Sequence, residues 1–199
     1  MQMEVLETER LIIRPFTSDD LHSIHQLLDL ELKSSDFGTA SPYTLVERER
    51  WLQWTILGYD NLAKLNQPPY GERAIIEKDS KCFVGICGFV PYLDRFKQLC
   101  DFKTINTPNI CETTTTEFGL FYAVAEAYQN KGIASEATLA MIDYAFKQLH
   151  VYRVIATTSY NNVSSIKVMT KLGMCLQKNP FAEPSWLQVV GTLDNPAFG

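Results

Sequence analysis

The chain has 199 residues, 46% of them hydrophobic and 21% charged, the make-up of one ordinary globular domain long enough to bury a sizeable core. A formal net charge of -5 leaves no basic face for nucleic-acid phosphates, so no nucleic-acid partner is expected. No run approaches the roughly 20 apolar residues of a membrane span, and the acidic start from Met1 to Glu7 lacks the apolar stretch of a secretory signal; a cytoplasmic protein with no membrane partner is expected.

In chain order, Leu11-Ile12-Ile13-Arg14-Pro15-Phe16 is β-rich and stopped by proline, which predicts a first strand. Thr17-Ser18-Asp19-Asp20 then supplies a helix cap with acidic residues in the first turn, and Leu21, Ile24, Leu27 and Leu28 follow at helical spacing. A polar loop over 34–42 leads to a second amphipathic helix over 45–57, which carries Trp51 and Trp54. After a linker at 66–69, strands are predicted over 71–77 and 82–93, joined by the turn 78–81. The stretch 94–113 is polar, irregular and long for a connection, so it is taken as an insertion. A strand over 114–124 ends in a turn over 125–132. Ile133, Ala137, Ala140, Met141, Tyr144 and Ala145 then fall on one helix face. A strand over 151–159, a short helix over 165–172 with Gly173 just past its end, and strands over 174–178 and 186–192 complete the chain. The alternation is that of an α+β fold in a single domain spanning 1–199, with helices over a mainly antiparallel sheet.

The cysteines Cys82, Cys87, Cys100, Cys111 and Cys175 form no CxxC pair and lie beside no paired histidines, so they read as free thiols and no metal is expected. Cys82, Cys87 and Cys175 are expected to be small core residues. His22 and His25 share a face of the first predicted helix without the further ligands a metal needs.

Gln129-Asn130-Lys131-Gly132-Ile133-Ala134 is where chemistry enters. A strand that runs through a turn into a helix leaves the first helical N–H groups unpaired, and these donors with the helix dipole favour an anion, most often a phosphate. Gly132 keeps side-chain bulk out of that turn, and Ala134 keeps the path open further on. Alone, the pattern is also that of a plain helix N-terminus. Downstream stands Asn162-Val163-Ser164-Ser165, running into Ile166-Lys167-Val168-Met169-Thr170-Lys171-Leu172-Gly173-Met174. With Gln129-x-x-Gly132-x-Ala134, this segment resembles the GNAT superfamily of acetyl-coenzyme-A-dependent N-acetyltransferases. The opening Thr8-Glu9-Arg10-Leu11 and the strand Glu117-Phe118-Gly119-Leu120 resemble its ribosomal-protein alanine acetyltransferase (RimJ/RimL-type) branch. The resemblance covers the chain apart from 94–113.

That resemblance implies a GNAT-like central mixed, mainly antiparallel sheet of about seven strands, with helices on both faces and splayed parallel strands at the cofactor site. It implies acetyl-CoA as co-substrate, with a peptide N-terminus or a small molecule as amine acceptor, and leaves a homodimer open. Gln129, Asn130, Lys131, Gly132, Ile133, Ala134 and Ser135 would line the pyrophosphate. Val124 would turn its N–H to the thioester carbonyl, the pantetheine arm would lie along Tyr122 to Val124, and Asn162 would hydrogen-bond that arm. Lys131 reads equally well as a solvated lysine.

Acetyl transfer needs a base for an ammonium group, a donor for the oxyanion and, at need, a proton for the thiolate. Glu117 is the expected base, against a structural carboxylate as the plain alternative, with Glu112 weaker. Many members of the family carry a tyrosine where Met169 stands, so Ser165 is the substitute acid considered, with Tyr160 behind it; Ser165 reads equally as a helix-capping hydroxyl. A non-catalytic acetyl-CoA sensor is the competing function.

Overall fold

The computed structural model describes residues 3–33, 41–68, 70–94, 96 and 114–198. Most of the expected insertion 94–113 therefore lies outside the described residues, along with Cys100, Cys111 and Glu112, and so does 34–40 of the polar loop.

The strands form a mixed, mostly antiparallel sheet of eight, accompanied by four α-helices among the described residues. They are β1 (Leu6–Glu7), β2 (Leu11–Pro15), β3 (Glu72–Glu77), β4 (Phe83–Asp94), β5 (Thr115–Val124), β6 (Arg153–Thr158), β7 (Cys175–Lys178) and β8 (Val189–Asp194). Their order in the sheet is β1-β2-β3-β4-β5-β6-β8-β7. The chain divides into two compact units, Met1–Val90 with Leu120–His150 and Pro91–Gly119 with Val151–Gly199.

In the first unit β2 pairs antiparallel with both β1 and β3, and β3 with β4. The period of two in β3 sorts its residues cleanly. Ala74 and Ile76 face a core of Phe16, Ile24, Leu27, Leu28, Leu52 and Ile86, which the first two helices cover. Arg73 on the other face stacks its guanidinium 4.8 Å from the Tyr144 ring of α3 (Ile133–Lys147). Helices thus lie on both faces of this part of the sheet. Gly85 lets β4 approach the end of β5, because a Cβ there would sit 2.5 Å from the Ala123 carbonyl oxygen.

The first helix is shorter than its apolar spacing suggests: α1 (Leu21–His25) passes into a π-helical segment, Gln26–Glu31. Asp29 explains the widened turn. Its carboxylate is buried and receives Arg48 Nε and Nη2 at 2.7 Å each, the Tyr43 backbone N–H at 2.8 Å and His25 Nδ1 at 3.0 Å. The ring of His25 is thereby tied to a carboxylate. The second helix, α2 (Leu45–Lys64), runs seven residues past the expected end at 57. Thr44 caps it in a reciprocal box with Glu47, and nothing in its sequence stops it before Leu65 and Asn66.

In the second unit β5 and β6 are the parallel pair of the sheet, in register at Gly119 and Ile155. β8 lies antiparallel between β6 and β7. Phe96, Ile155, Leu187 and Val190 form its core, with Tyr92 edge-on to Phe96 at 5.2 Å. The fourth helix, α4 (Val163–Lys171), sits close over β8: a Cβ on Gly191 would lie 2.8 Å from Met169 Sδ and 3.0 Å from Met174 Sδ.

Three expectations are corrected here. β1 adds an eighth strand, formed where Leu6 and Glu7 turn back on Ile13 and Ile12. The last strand begins at Val189 rather than 186, because Ser185–Leu187 is a 3-10 turn whose Leu187 N–H bonds to the Pro184 carbonyl. Of the three cysteines taken as core residues only Cys87 is buried; Cys82 follows a turn and Cys175 opens a short strand, so both are exposed.

Candidate active site

The first unit carries the turn expected to bind an anion. β5 ends at Val124, a 3-10 turn over Glu126–Tyr128 follows, and Gln129 leads to two left-handed residues, Asn130 (φ 59°) and Gly132 (φ 82°). The two reversals send the chain straight into α3. Gly132 is the N-cap residue and no side chain caps the helix, so the N–H groups of its first turn remain available as donors. Those donors, with the dipole of a 15-residue helix behind them, fit a phosphate group.

The turn is braced from both ends. Gln129 Nε2 donates to the Val124 carbonyl at 3.0 Å and so closes the loop onto the strand that precedes it. Glu31, at the end of the π-helical segment, accepts the Glu126 backbone N–H. Arg10 comes from the chain start: Nη1 donates to the Lys131 carbonyl at 3.0 Å, and Nε donates to Glu136 Oε2 at 2.7 Å. Glu136 also accepts from the Arg10 N–H at 3.0 Å and the Thr8 hydroxyl at 2.5 Å. Burial raises the Glu136 carboxyl, but the Thr8 and Arg10 hydrogen bonds outweigh it and hold the group below the usual range. Arg10, Thr8 and Glu136 were not singled out from sequence as site residues. Thr8-Glu9-Arg10 was visible as a motif; that its partner lies 126 positions along the chain was not.

Tyr122 and Val124 lie one pleat apart at the end of β5, and after the 3-10 turn, 129–132 lead into the first turn of α3 at 133–135. Lys131 places Nζ 5.3 Å from the ring centroid of Tyr128, an attachment that leaves the ammonium at the rim of the turn.

The second unit carries Glu117, Asn162 and Ser165. Glu117 is half-buried on β5. Burial pushes its carboxyl above the ordinary glutamate range, the Arg153 guanidinium pulls it back, and the Asp194 carboxylate pushes it up again. Arg153 is itself bound to Asp194, Nε to Oδ1 at 2.5 Å, so its charge is shared. A carboxyl raised in this way is a stronger base than an exposed glutamate once ionised.

Asn162 is the N-cap of α4, its Oδ1 accepting the Ser165 backbone N–H at 3.0 Å. The capping reading of Ser165 is thus corrected: the helix starts two residues earlier than expected, and the amide side chain of Asn162 has the cap position. Ser165 is half-buried in the first turn. Met169 is fully buried against Gly191, so the position where many family members place a tyrosine is core here. The Tyr160 hydroxyl donates to the carbonyl of buried Asn179, which commits its proton to a structural bond. Of the two tryptophans on α2, Trp51 packs on the first core beside Phe16 at 5.8 Å, whereas Trp54 is exposed. The Tyr59 hydroxyl donates to the Glu72 carbonyl at 2.6 Å and accepts the Phe16 N–H at 3.2 Å.

Among the described residues no group of three histidine, cysteine, aspartate or glutamate side chains is placed to hold a metal ion, and no helix is long and apolar enough to cross a membrane.

A mixed sheet whose parallel strand runs through a glycine turn into a helix is the acetyltransferase architecture. Residues 10–175 match the family described as acetyltransferase (GNAT) domain, and the chain belongs to that family. It is 51% identical over 47 residues to the uncharacterized N-acetyltransferase YnaD of Bacillus subtilis (strain 168), 24% of this chain and 28% of that protein. To the uncharacterized N-acetyltransferase p20 of Bacillus licheniformis it is 25% identical over 170 residues, 85% of this chain and 82% of that one. Among solved structures, RimL, a ribosomal L7/L12 alpha-N-protein acetyltransferase in complex with coenzyme A, superposes with a TM-score of 0.66 at 15% identity, covering 98% of this chain and 99% of that one. That likeness is one of fold, and it includes the branch to which the opening motif pointed.

Proposed function

We propose that the protein is an acetyl-CoA-dependent N-acetyltransferase that moves an acetyl group to a primary amine, of a peptide N-terminus or a small molecule, by direct attack on the thioester. The observation that carries the reading is the uncapped start of α3, with left-handed Gly132 ahead of it and Arg10 bracing the turn. Two named relatives described as N-acetyltransferases and a structural neighbour solved with coenzyme A support it.

In this reading the N–H groups of Asn130, Lys131, Gly132, Ile133, Ala134 and Ser135 hold the pyrophosphate, while Gln129, whose own N–H donates to the Glu126 carbonyl at 3.1 Å, shapes the turn; Tyr122 and Val124 align the pantetheine arm, and Asn162 donates to it through the amide nitrogen its capping bond leaves over. Acetyl-CoA brings the activated acyl group, and the chain's own part is to orient, to exclude water and to move protons. Glu117 takes the proton from the acceptor ammonium, directly or through water, the freed amine attacks the thioester carbonyl, and Ser165 is the candidate to return a proton to the thiolate. The chain acts as one acetyltransferase domain over 1–199 with 94–113 as an insertion, in the cytoplasm and without a metal.

The test is release of coenzyme A thiol from acetyl-CoA in the presence of N-terminal peptides, polyamines and aminoglycosides. At least one amine class should give turnover that falls by about a hundredfold or more in Glu117→Gln, the usual size of a general-base contribution. Coenzyme A binding without turnover on any amine would favour a sensor instead. Turnover unchanged by Glu117→Gln would remove Glu117 from the base role.

A further inference from the structure

Arg73 stands in the middle of the first unit with a relative exposure of 0%, the largest fully buried side chain among the described residues. Its guanidinium stays charged at any pH at which a protein works. Nη1 donates to the Glu4 backbone carbonyl. Nε and Nη2 are buried and have no hydrogen-bond partner among the described residues. A buried charge is ordinarily paired, because a donor left unmade forfeits its hydration without return.

The neighbours do not supply the countercharge. Besides burial itself, the groups that act on the charge of Arg73 are two phenols and a thiol: Tyr144, Cys87 and Tyr59. Cys87 lies directly opposite Arg73 across β3 and β4, and burial pushes its thiol up to about 12. Burial raises both tyrosines as well, so all three groups are neutral near pH 7. The Tyr144 ring covers the guanidinium at 4.8 Å from its carbon. A ring over the plane attracts the cation but does not use the N–H groups along its edge.

The two orphaned donors are also the adjacent pair. Nε and Nη2 direct parallel N–H groups from one edge of the guanidinium, the fork that receives an anion bidentately. The chain's own carbonyl takes Nη1, at the other end. Access to that fork is lightly guarded. Met3, Glu4 and Val5 precede β1 and take no part in its ladder, and Glu4 and Val5 are exposed. A short stretch outside the ladder opens at far lower cost than a strand.

We propose that Arg73 holds a small monovalent anion, a halide or a short carboxylate, through Nε and Nη2 where β3, α3 and the segment Met3–Val5 meet. One buried positive charge calls for one negative charge, and full burial admits only a small carrier of it. The site is separate from the acetyl-transfer reading. Tyr144 lies about 16 Å along α3 from Ile133 at 1.5 Å per residue, and no group of the site belongs to the turn at 129–135.

Thermal midpoints at fixed ionic strength test it. Sodium gluconate, whose anion is too bulky for a closed site, is exchanged stepwise for sodium chloride or sodium acetate. In at least one of the two the midpoint should rise by about 2–4 °C and level off as the site fills. A rise in chloride alone identifies a halide, and a rise in acetate alone a carboxylate. Arg73→Met should lose the rise in both salts. Arg73→Lys keeps a charge without the fork and should need at least about tenfold more anion for the same rise. Crystals of the unmodified protein, grown in the salt that gives the rise, make the test independent of whether either variant folds: density for the anion should lie against Nε and Nη2. Midpoints alike in all three salts, a rise that survives in Arg73→Met, or crystals without that density overturn the proposal.

Discussion

At Glu117 three groups act on one carboxyl. Burial disfavours its charge most, Arg153 opposes that, and Asp194 adds to it, leaving the pKa above the ordinary glutamate value. A base must be ionised to work, so kcat/KM should fall on the acid side with a limb centred above pH 4.5, and Glu117→Gln should abolish that limb. Arg153→Met takes away the one group that lowers the value and leaves Asp194 without its partner, so the limb should move to higher pH. A limb that stays in place in Arg153→Met would show that Glu117 is not the group titrating. Glu117 was legible as a candidate from its strand and neighbours, but Arg153 and Asp194 were not. They reach it by strand pairing, Arg153 opposite Asp194 across β6 and β8, and no spacing in the sequence announces that register.

Arg10 belongs to the same scale. Its guanidinium holds the Lys131 carbonyl and Glu136 together, and Nη2 lies 3.4 Å from where a Cβ on Gly132 would be. Arg10→Ala releases the turn while leaving the reacting groups untouched. The KM for acetyl-CoA should rise about tenfold with kcat little changed, the loss expected for charge-assisted hydrogen bonds that act on binding alone. A fall in kcat at constant KM would instead place Arg10 at the chemistry.

At the scale of elements, the turn from β5 into α3 was the most legible part of the molecule. Gly132 announced it, and its φ of 82° is the reason glycine stands there. Gly132→Ala should cost about 1–2 kcal/mol of stability from the left-handed conformation alone, and weaken coenzyme A binding with it, both readable by thermal shift with and without coenzyme A. Helix lengths were less legible. α1 gives way to a π-helical segment because Asp29 must meet Arg48, Tyr43 and His25 together, a demand set by tertiary contact rather than by apolar period. Burial alone would raise the Asp29 carboxyl; the Arg48 hydrogen bonds first, then those from Tyr43 and His25, outweigh it and hold it below the ordinary value. Its contribution to stability is therefore present above the ordinary carboxylate pKa and is lost as pH falls through the depressed one. Asp29→Asn strands a buried Arg48 and should cost about 3–5 kcal/mol in denaturant unfolding near neutral pH, a loss that shrinks toward the acid end.

At the scale of the whole molecule, the α+β class, the strand sequence and the family were readable from pattern and motif. The eighth strand was not, because two residues carry too little β signal to stand out from a chain terminus. Nor was the division of the chain into two units: β4 and β5 each pass from one unit to the other, and a single sequence gives no composition change where they do. The candidate residues follow that division. Tyr122, Val124 and 129–135 stand in the first unit, and Glu117, Asn162 and Ser165 in the second. The sequence offered both sets as motifs, while what braces each of them (Arg10 with Glu136, and Arg153 with Asp194) came from pairings distant along the chain.

The central claim is that the turn at the head of α3 receives coenzyme A. The most direct measurement is a crystal structure of the protein grown with coenzyme A. The pyrophosphate is expected against the backbone N–H groups of 130–135, with the pantetheine arm along Tyr122 to Val124. Density for the pyrophosphate anywhere else on the chain, or a coenzyme that binds with the turn empty, would contradict it.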